Sequence, residues 1–182
     1  QLASEFGAEA FNDWKPLLNS DVDAVIVATT NDSLAEISRA FLTAAKHVLV
    51  EKPAGRNPQE VFELVEVASQ ANFQGIRLCV GFNHRFHPGI AKLRETFKSG
   101  VVGELMYIRA RYGHGGRLGY DREWRAVPAI AGGGELLDQG VHLIDLCRWI
   151  GGEFEFETGA VGTYFWDMPV EDNGFLLLKN PK

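Results

Sequence analysis

The sequence predicts an α/β fold in two parts: a partial parallel sheet with crossover helices, then part of an α+β region with an open, mostly antiparallel sheet. Three observations predict it. Residues 23–80 alternate short, β-branched apolar runs with helical segments in the order strand, helix, strand, helix, strand, the grammar of a parallel sheet. Beyond residue 87 the strand-like runs lengthen and mix apolar with polar residues, as half-exposed antiparallel strands do. A Gly-, Arg- and aromatic-rich loop over 113–134 then separates these runs.

Each element has its own signal. The run "DAVIVATT" (23–30) reads as a buried strand. The helix after it shows apolar spacing at Leu34, Ile37, Phe41, Leu42 and Ala45, with Asp32 or Ser33 as its cap. "VLVEKP" is a second strand. The next helix opens with Asn57 as N-cap, Pro58 at the first position and Glu60 three residues past the cap. "GIRLCVGF" is a third strand, and the boundary between the parts falls near 83–87, giving residues 1–84 and 85–182. "HPGIAKLRETFKSG" reads as a helix, "ELMYIRARYGHGG" as a long strand, 132–149 as a helix, and "FEFETGAVGTYFW" and "NGFLLLK" as strands. The opening "QLASEFGAEAF" reads as helix interior, and the chain stops just past a strand-like run, so it reads as the middle of a longer protein.

Bulk properties narrow the function. With 182 residues, 46% hydrophobic, four Trp and twelve Phe, the chain can bury a sizeable core. Its net charge of −6 and lack of a basic stripe argue against nucleic acid as a partner. No apolar run approaches the roughly 20 residues of a membrane span. Two cysteines, Cys79 and Cys147, stand at no metal-ligand spacing, which fits a reduced, cytoplasmic chain.

The segment "GGGELLDQGVHLIDLCRW" poses a problem. On a regular helix Asp138, His142 and Asp145 share a stripe roughly 60° wide, while most other positions are apolar. So wide an apolar band implies a helix wrapped by protein on most sides, with its polar stripe facing a cleft. Asp138 and His142 form an i, i+4 pair whose side chains can converge on one ligand. The same groups suit a cation in principle, but D-x3-H-x2-D is no specific metal signature, and no metal is assigned.

Three successive strand ends also carry polar groups: Thr29, Thr30 and Asn31; Glu51 and Lys52 before Pro53; Asn83, His84 and Arg85. Ligands of open α/β sheets bind beyond the carboxyl ends of the strands. Hydroxyls and helix N–H groups there can hold a ribose or phosphate. Arg117, Tyr120, Trp124 and Arg125 in the Gly-rich loop can stack on, or hydrogen-bond, a sugar.

Taken together, "VDAVIVATTNDSLAEISRAFLTAAKHVLVEKPAGRNPQE", "VGFNHRFHP" and "GGGELLDQGVHLIDLCRW" resemble the glucose–fructose oxidoreductase / inositol dehydrogenase / rhizopine-catabolism family over nearly the whole chain. The resemblance implies a Rossmann domain followed by a substrate domain whose open sheet forms homo-oligomers, dimers or tetramers. It implies NAD or NADP as cofactor and oxidation of a sugar or cyclitol hydroxyl. It assigns Lys52, Asp138 and His142 to catalysis, and Thr29, Thr30, Asn31, Glu51, Lys52, Asn83 and Arg85 to the cofactor. Tyr120, Trp124, Arg125, Asp138 and His142 are assigned to the substrate. The expected mechanism uses His142 as a base with pKa near neutral, Lys52 on the reacting oxygen, Asp138 orienting the substrate hydroxyl or tuning the imidazole, and Asp145 in support. One departure stands out: the G-x-G-x-x-G fingerprint is absent. An NAD-using glycosidase, a non-catalytic sugar or dinucleotide sensor and a metal-dependent hydrolase are the alternatives.

Overall fold

A short helix, α1 (Leu2–Phe6), and a 3-10 turn (Lys15–Asn19) precede the first strand, β1 (Ala24–Val27), in this computed structural model, which describes residues 2–181. Gln1, expected to be helical, lies outside the described residues, as does Lys182. Helix α2 (Asn31–Thr43) leads to β2 (His47–Val50), and α3 (Pro58–Phe73) leads to β3 (Leu78–Val80). The three strands pair in parallel in the order β1-β2-β3, with Val27 opposite Val50 and Val50 opposite Val80.

That order decides where the core sits. Successive crossovers of one hand and one direction place their helices on the same face, and α2 packs directly against α3. Val27, Val48 and Val50 therefore meet Leu34, Phe41 and Leu64 in one buried cluster, where each large side chain contributes roughly 1.5–3 kcal/mol. Alternate residues face the other way, and there Ile26 is 74% and Leu49 40% exposed. The first strand, expected to be buried, is thus buried on one face only.

Helix starts follow the local chemistry. The Asn57 side chain accepts a hydrogen bond from the Glu60 N–H at 3.0 Å, with Pro58 in the first turn. The Glu60 carboxylate reaches back one residue beyond the cap, accepting from the Arg56 N–H at 2.7 Å and from its guanidinium Nε at 2.9 Å. At α2 the cap is Thr30, not Asp32 or Ser33: Thr30 has extended backbone and its hydroxyl donates to Asp32 at 2.6 Å.

A 3-10 turn (Asn83–Phe86) joins β3 to α4 (Pro88–Lys98). The strand expected over 104–116 does not form. The two strands that follow in this half pair with each other, leaving that segment no ladder partner, and Met106 is 90% exposed. Short turns and a four-residue helix, α5 (Pro128–Ala131), occupy the Gly-rich loop. The helix expected over 132–149 is in fact a π-helical turn (Leu136–Gly140) running into α6 (Val141–Gly151). Strands β4 (Glu155–Gly162) and β5 (Asn173–Lys179) form the antiparallel hairpin sheet, with a bulge between Phe156 and Thr158. Among the described residues no helix is long and apolar enough to cross a membrane.

Candidate active site

The polar stripe is explained by what it docks on. Asp138, His142 and Asp145 are 9%, 6% and 8% exposed. Val141, Leu143, Ile144 and Leu146 on the same element are only half-buried, the reverse of an ordinary amphipathic helix. The helix is wrapped by protein on most sides, with Arg148 its one exposed residue over 141–150, but the polar stripe, expected to face a cleft, is instead its most buried face. Each polar residue meets a group just beyond a strand end. Lys52, after β2, takes Asp138; His84 and Arg85, after β3, take His142 and Asp145.

The Lys52 ammonium donates to the Asp138 carboxylate and to the Asp138 main-chain carbonyl, the latter at 2.7 Å. The other carboxylate oxygen accepts from Gln139 at 3.0 Å and lies 3.4 Å from the Arg125 guanidinium. Burial alone raises a carboxyl pKa, but the Lys52 hydrogen bond and charge, aided by Arg125, reverse this and hold Asp138 below its ordinary value. Asp138 is therefore the hub of an ion-pair network. In this arrangement it orients Lys52; its expected role of orienting a substrate hydroxyl is not what its two oxygens are engaged in. A folded-state pKa below the unfolded one adds stability above the unfolded value of about 4, lost as pH falls through the folded value. Urea titrations between pH 3 and 6 are expected to show Asp138→Asn with a flatter acid decline than the parent; parallel declines would contradict the ion pair.

His142 stacks on His84 with ring centroids 4.0 Å apart and planes inclined by 24°, while Phe82 meets it edge-on at 6.2 Å. Its Nδ1 is buried without a hydrogen-bond partner. Burial, then the neighbouring His84, then Lys52 push its pKa down to about 4, against the opposing pull of Asp138 and Asp145. The expected near-neutral base is corrected accordingly: the ring is uncharged across the neutral range.

Arg85 grips Asp145 with two guanidinium nitrogens, Nε at 2.7 Å, and lies over the rings of Phe82 and Trp149 at 5.7 and 5.8 Å. Asp145 holds α6 to the end of β3, a support role. Arg85 is committed to that clamp, so the geometry gives it a structural task in place of the cofactor contact expected of it.

The other sequence-chosen residues divide. Thr29, Glu51 and Asn83 are exposed and Thr30 half-exposed at the carboxyl ends of the three strands. Asn31 is buried, and its side chain donates to the Ala131 carbonyl at 2.9 Å. It fastens α5 to α2, which removes its amide from the cofactor role expected of it. Tyr120 is not an open sugar platform. It sits in a cluster with Ala126, Met168 and Val170, its hydroxyl donates to Glu135 at 2.5 Å, and burial raises its pKa. Trp124 and Arg125 stack on each other at 4.5 Å and line a small cavity with Asp138; Lys52 and His142 are not part of its lining. Arg117 pairs with Glu123 on the surface.

The sequence reading missed Glu171. From the β4–β5 connection its carboxylate accepts from the Gly134 and Leu136 N–H groups at 2.9 and 3.1 Å, and its carbonyl accepts from Glu135 at 2.9 Å. It thereby ties down the segment that presents Asp138. An acidic residue in "PVEDNG" carries no spacing signal that would have revealed this.

Comparisons with known proteins show the family. Residues 90–182 match the GFO/IDH/MocA C-terminal domain, and residues 1–81 match the oxidoreductase family with an NAD-binding Rossmann fold. The chain belongs to the GFO/IDH/MocA oxidoreductase family. It is 29% identical over 178 residues to a levoglucosan dehydrogenase of Pseudarthrobacter phenanthrenivorans, covering 96% of this chain and 45% of that protein. It is 30% identical over 178 residues to a myo-inositol 2-dehydrogenase of Thermotoga maritima, covering 96% and 50%. A solved levoglucosan dehydrogenase in complex with NADH and levoglucosan superposes with a TM-score of 0.87 at 26% identity, covering 98% of this chain and 50% of that one. The chain thus spans about half the length of these relatives.

Proposed function

We propose that this chain forms the reaction-centre part of an NAD(P)-dependent oxidoreductase that moves a hydride between nicotinamide and a hydroxyl-bearing carbon of a sugar, sugar derivative or cyclitol. The observation that carries it is the docking of Lys52 on Asp138, with a buried, uncharged His142 one turn further along. The exposed polar side chains Thr29, Glu51 and Asn83 stand side by side at the strand ends, which suits the ribose and amide end of a dinucleotide. Dehydrogenase relatives, one solved with NADH and levoglucosan, support the same reading.

The bound cofactor supplies the hydride acceptor; the chain's residues manage the proton and the charge. A neutral imidazole at His142 accepts the hydroxyl proton as the carbon loses its hydride. An ammonium has three donors; Asp138 engages two of those on Lys52, leaving one for the substrate oxygen, where it offsets developing negative charge. Trp124 and Arg125 flank Asp138 and supply the sugar-facing wall.

Residues 1–84 serve the cofactor and 85–182 the substrate. Phe156, Phe175 and Leu177 are exposed on the β4–β5 sheet, supporting a homo-oligomer through that sheet, and two free cysteines fit a reducing cytoplasm. The test is reduction of NAD or NADP by the longest natural form of the protein against a panel of sugars, inositols and polyols. Substrate-dependent reduction is expected. Tight cofactor retention with glycoside cleavage and no net reduction would move the protein to the glycosidase alternative.

A further inference from the structure

General-base histidines are ordinarily held by a hydrogen bond from one ring nitrogen to a carboxylate or carbonyl, which fixes both tautomer and plane. His142 lacks that device, because its Nδ1 is buried without a partner. The carboxylates near it are engaged elsewhere, Asp138 by Lys52 and Asp145 by Arg85. Something else must hold the ring. The contact that qualifies is His84, stacked at 4.0 Å and itself braced by Tyr112 at 5.3 Å.

We propose that His84 is the positioning residue of His142: face-to-face stacking from the turn after β3, in place of a hydrogen bond at Nδ1, sets the plane of the proton-accepting ring. The proposal rests on the dehydrogenase reading for its catalytic meaning, and on geometry alone for its structural content. Stacked imidazoles also share an electrostatic constraint. Two positive charges about 4 Å apart repel, so a charge on His84 disfavours one on His142. The charged groups facing His142 are His84 and Lys52, which disfavour its protonation, and Asp138 and Asp145, which favour it. Removing His84's charge while keeping a flat ring separates the two effects.

The test compares His84→Phe with His84→Ala. Histidine-detected NMR titration of the chain reads His142 directly and needs no turnover. Phenylalanine keeps the stack and removes the repelling charge, so the His142 midpoint is expected to rise while its ring signals stay sharp. Alanine is expected to raise the midpoint and average the ring signals. In the longest natural form of the protein, His84→Ala is expected to lower kcat about tenfold or more through misplacement of the base, with the cofactor KM unmoved, and His84→Phe to recover most of that loss. Averaged His142 ring signals in His84→Phe, or sharp ring signals or parental kcat in His84→Ala, overturn the proposal. If the parental protein reduces no dinucleotide, the dehydrogenase reading fails, and the NMR titration still decides the stacking role.

Discussion

Replacing His142 with alanine in the longest natural form of the protein is expected to lower kcat by about 10²- to 10⁴-fold, the usual contribution of a positioned general base, with little change in dinucleotide affinity. The asymmetry follows from the structure. The exposed side chains at the strand ends, Thr29, Glu51 and Asn83, do not depend on His142, whereas the proton path does. A second readout is independent of catalysis. Buried His142 has a pKa of about 4 against 6.5 unfolded, so between those values the unfolded chain binds more protons. Stability is therefore complete above about pH 6.5 and declines as pH falls toward 4. His142→Ala is expected to remove that slope from a urea-midpoint titration. Parental turnover in the variant would end the assignment of His142 as base; an unchanged slope would show that burial does not hold the ring neutral.

How much of this was legible in the chain depends on whether a signal is local. The parallel sheet was readable because Val27, Val48 and Val50 sit in compact β-branched runs and the Asn57–Pro58 helix start is written in adjacent residues. The one-faced burial of that sheet was not, because it depends on where both crossover helices go. The stripe was visible as an anomaly, yet its cause was not. Asp138 lies 86 positions from Lys52, and Asp145 60 from Arg85, and no periodicity encodes such pairings. The π-turn also breaks the regular spacing used to place Asp138 on the same line as His142. Tyr120 and Asn31 show the opposite failure: residue types suited to a ligand were used to build the wall behind the site. The strand over 104–116 had a fair alternating pattern, but a pattern forms a strand only where another strand can pair with it.

The largest structural effect is expected from the smallest change, Gly134→Ala. A Cβ at Gly134 would lie 1.8 Å from the Glu171 carbonyl oxygen and 2.8 Å from that residue's backbone N and C. These are main-chain atoms, so no rotamer change relieves the overlap. One of the two segments must move, and moving it breaks the three hydrogen bonds by which Glu171 holds Gly134, Glu135 and Leu136. At about 1 kcal/mol net for each bond, the loss is on the order of 3 kcal/mol, a Tm drop of roughly 6–12 °C for a chain of this size. Gly113→Ala is the control, since nothing lies within 4 Å of its Cβ position, and its Tm is expected to stay within a degree or two of the parent. Because the displaced segment presents Asp138, the surviving folded fraction of Gly134→Ala is also expected to show the flatter acid decline of Asp138→Asn, since the Lys52 pair would already be broken. Equal Tm values for the two glycine variants would show that the close approach of Glu171 to Gly134 is not what fixes this segment.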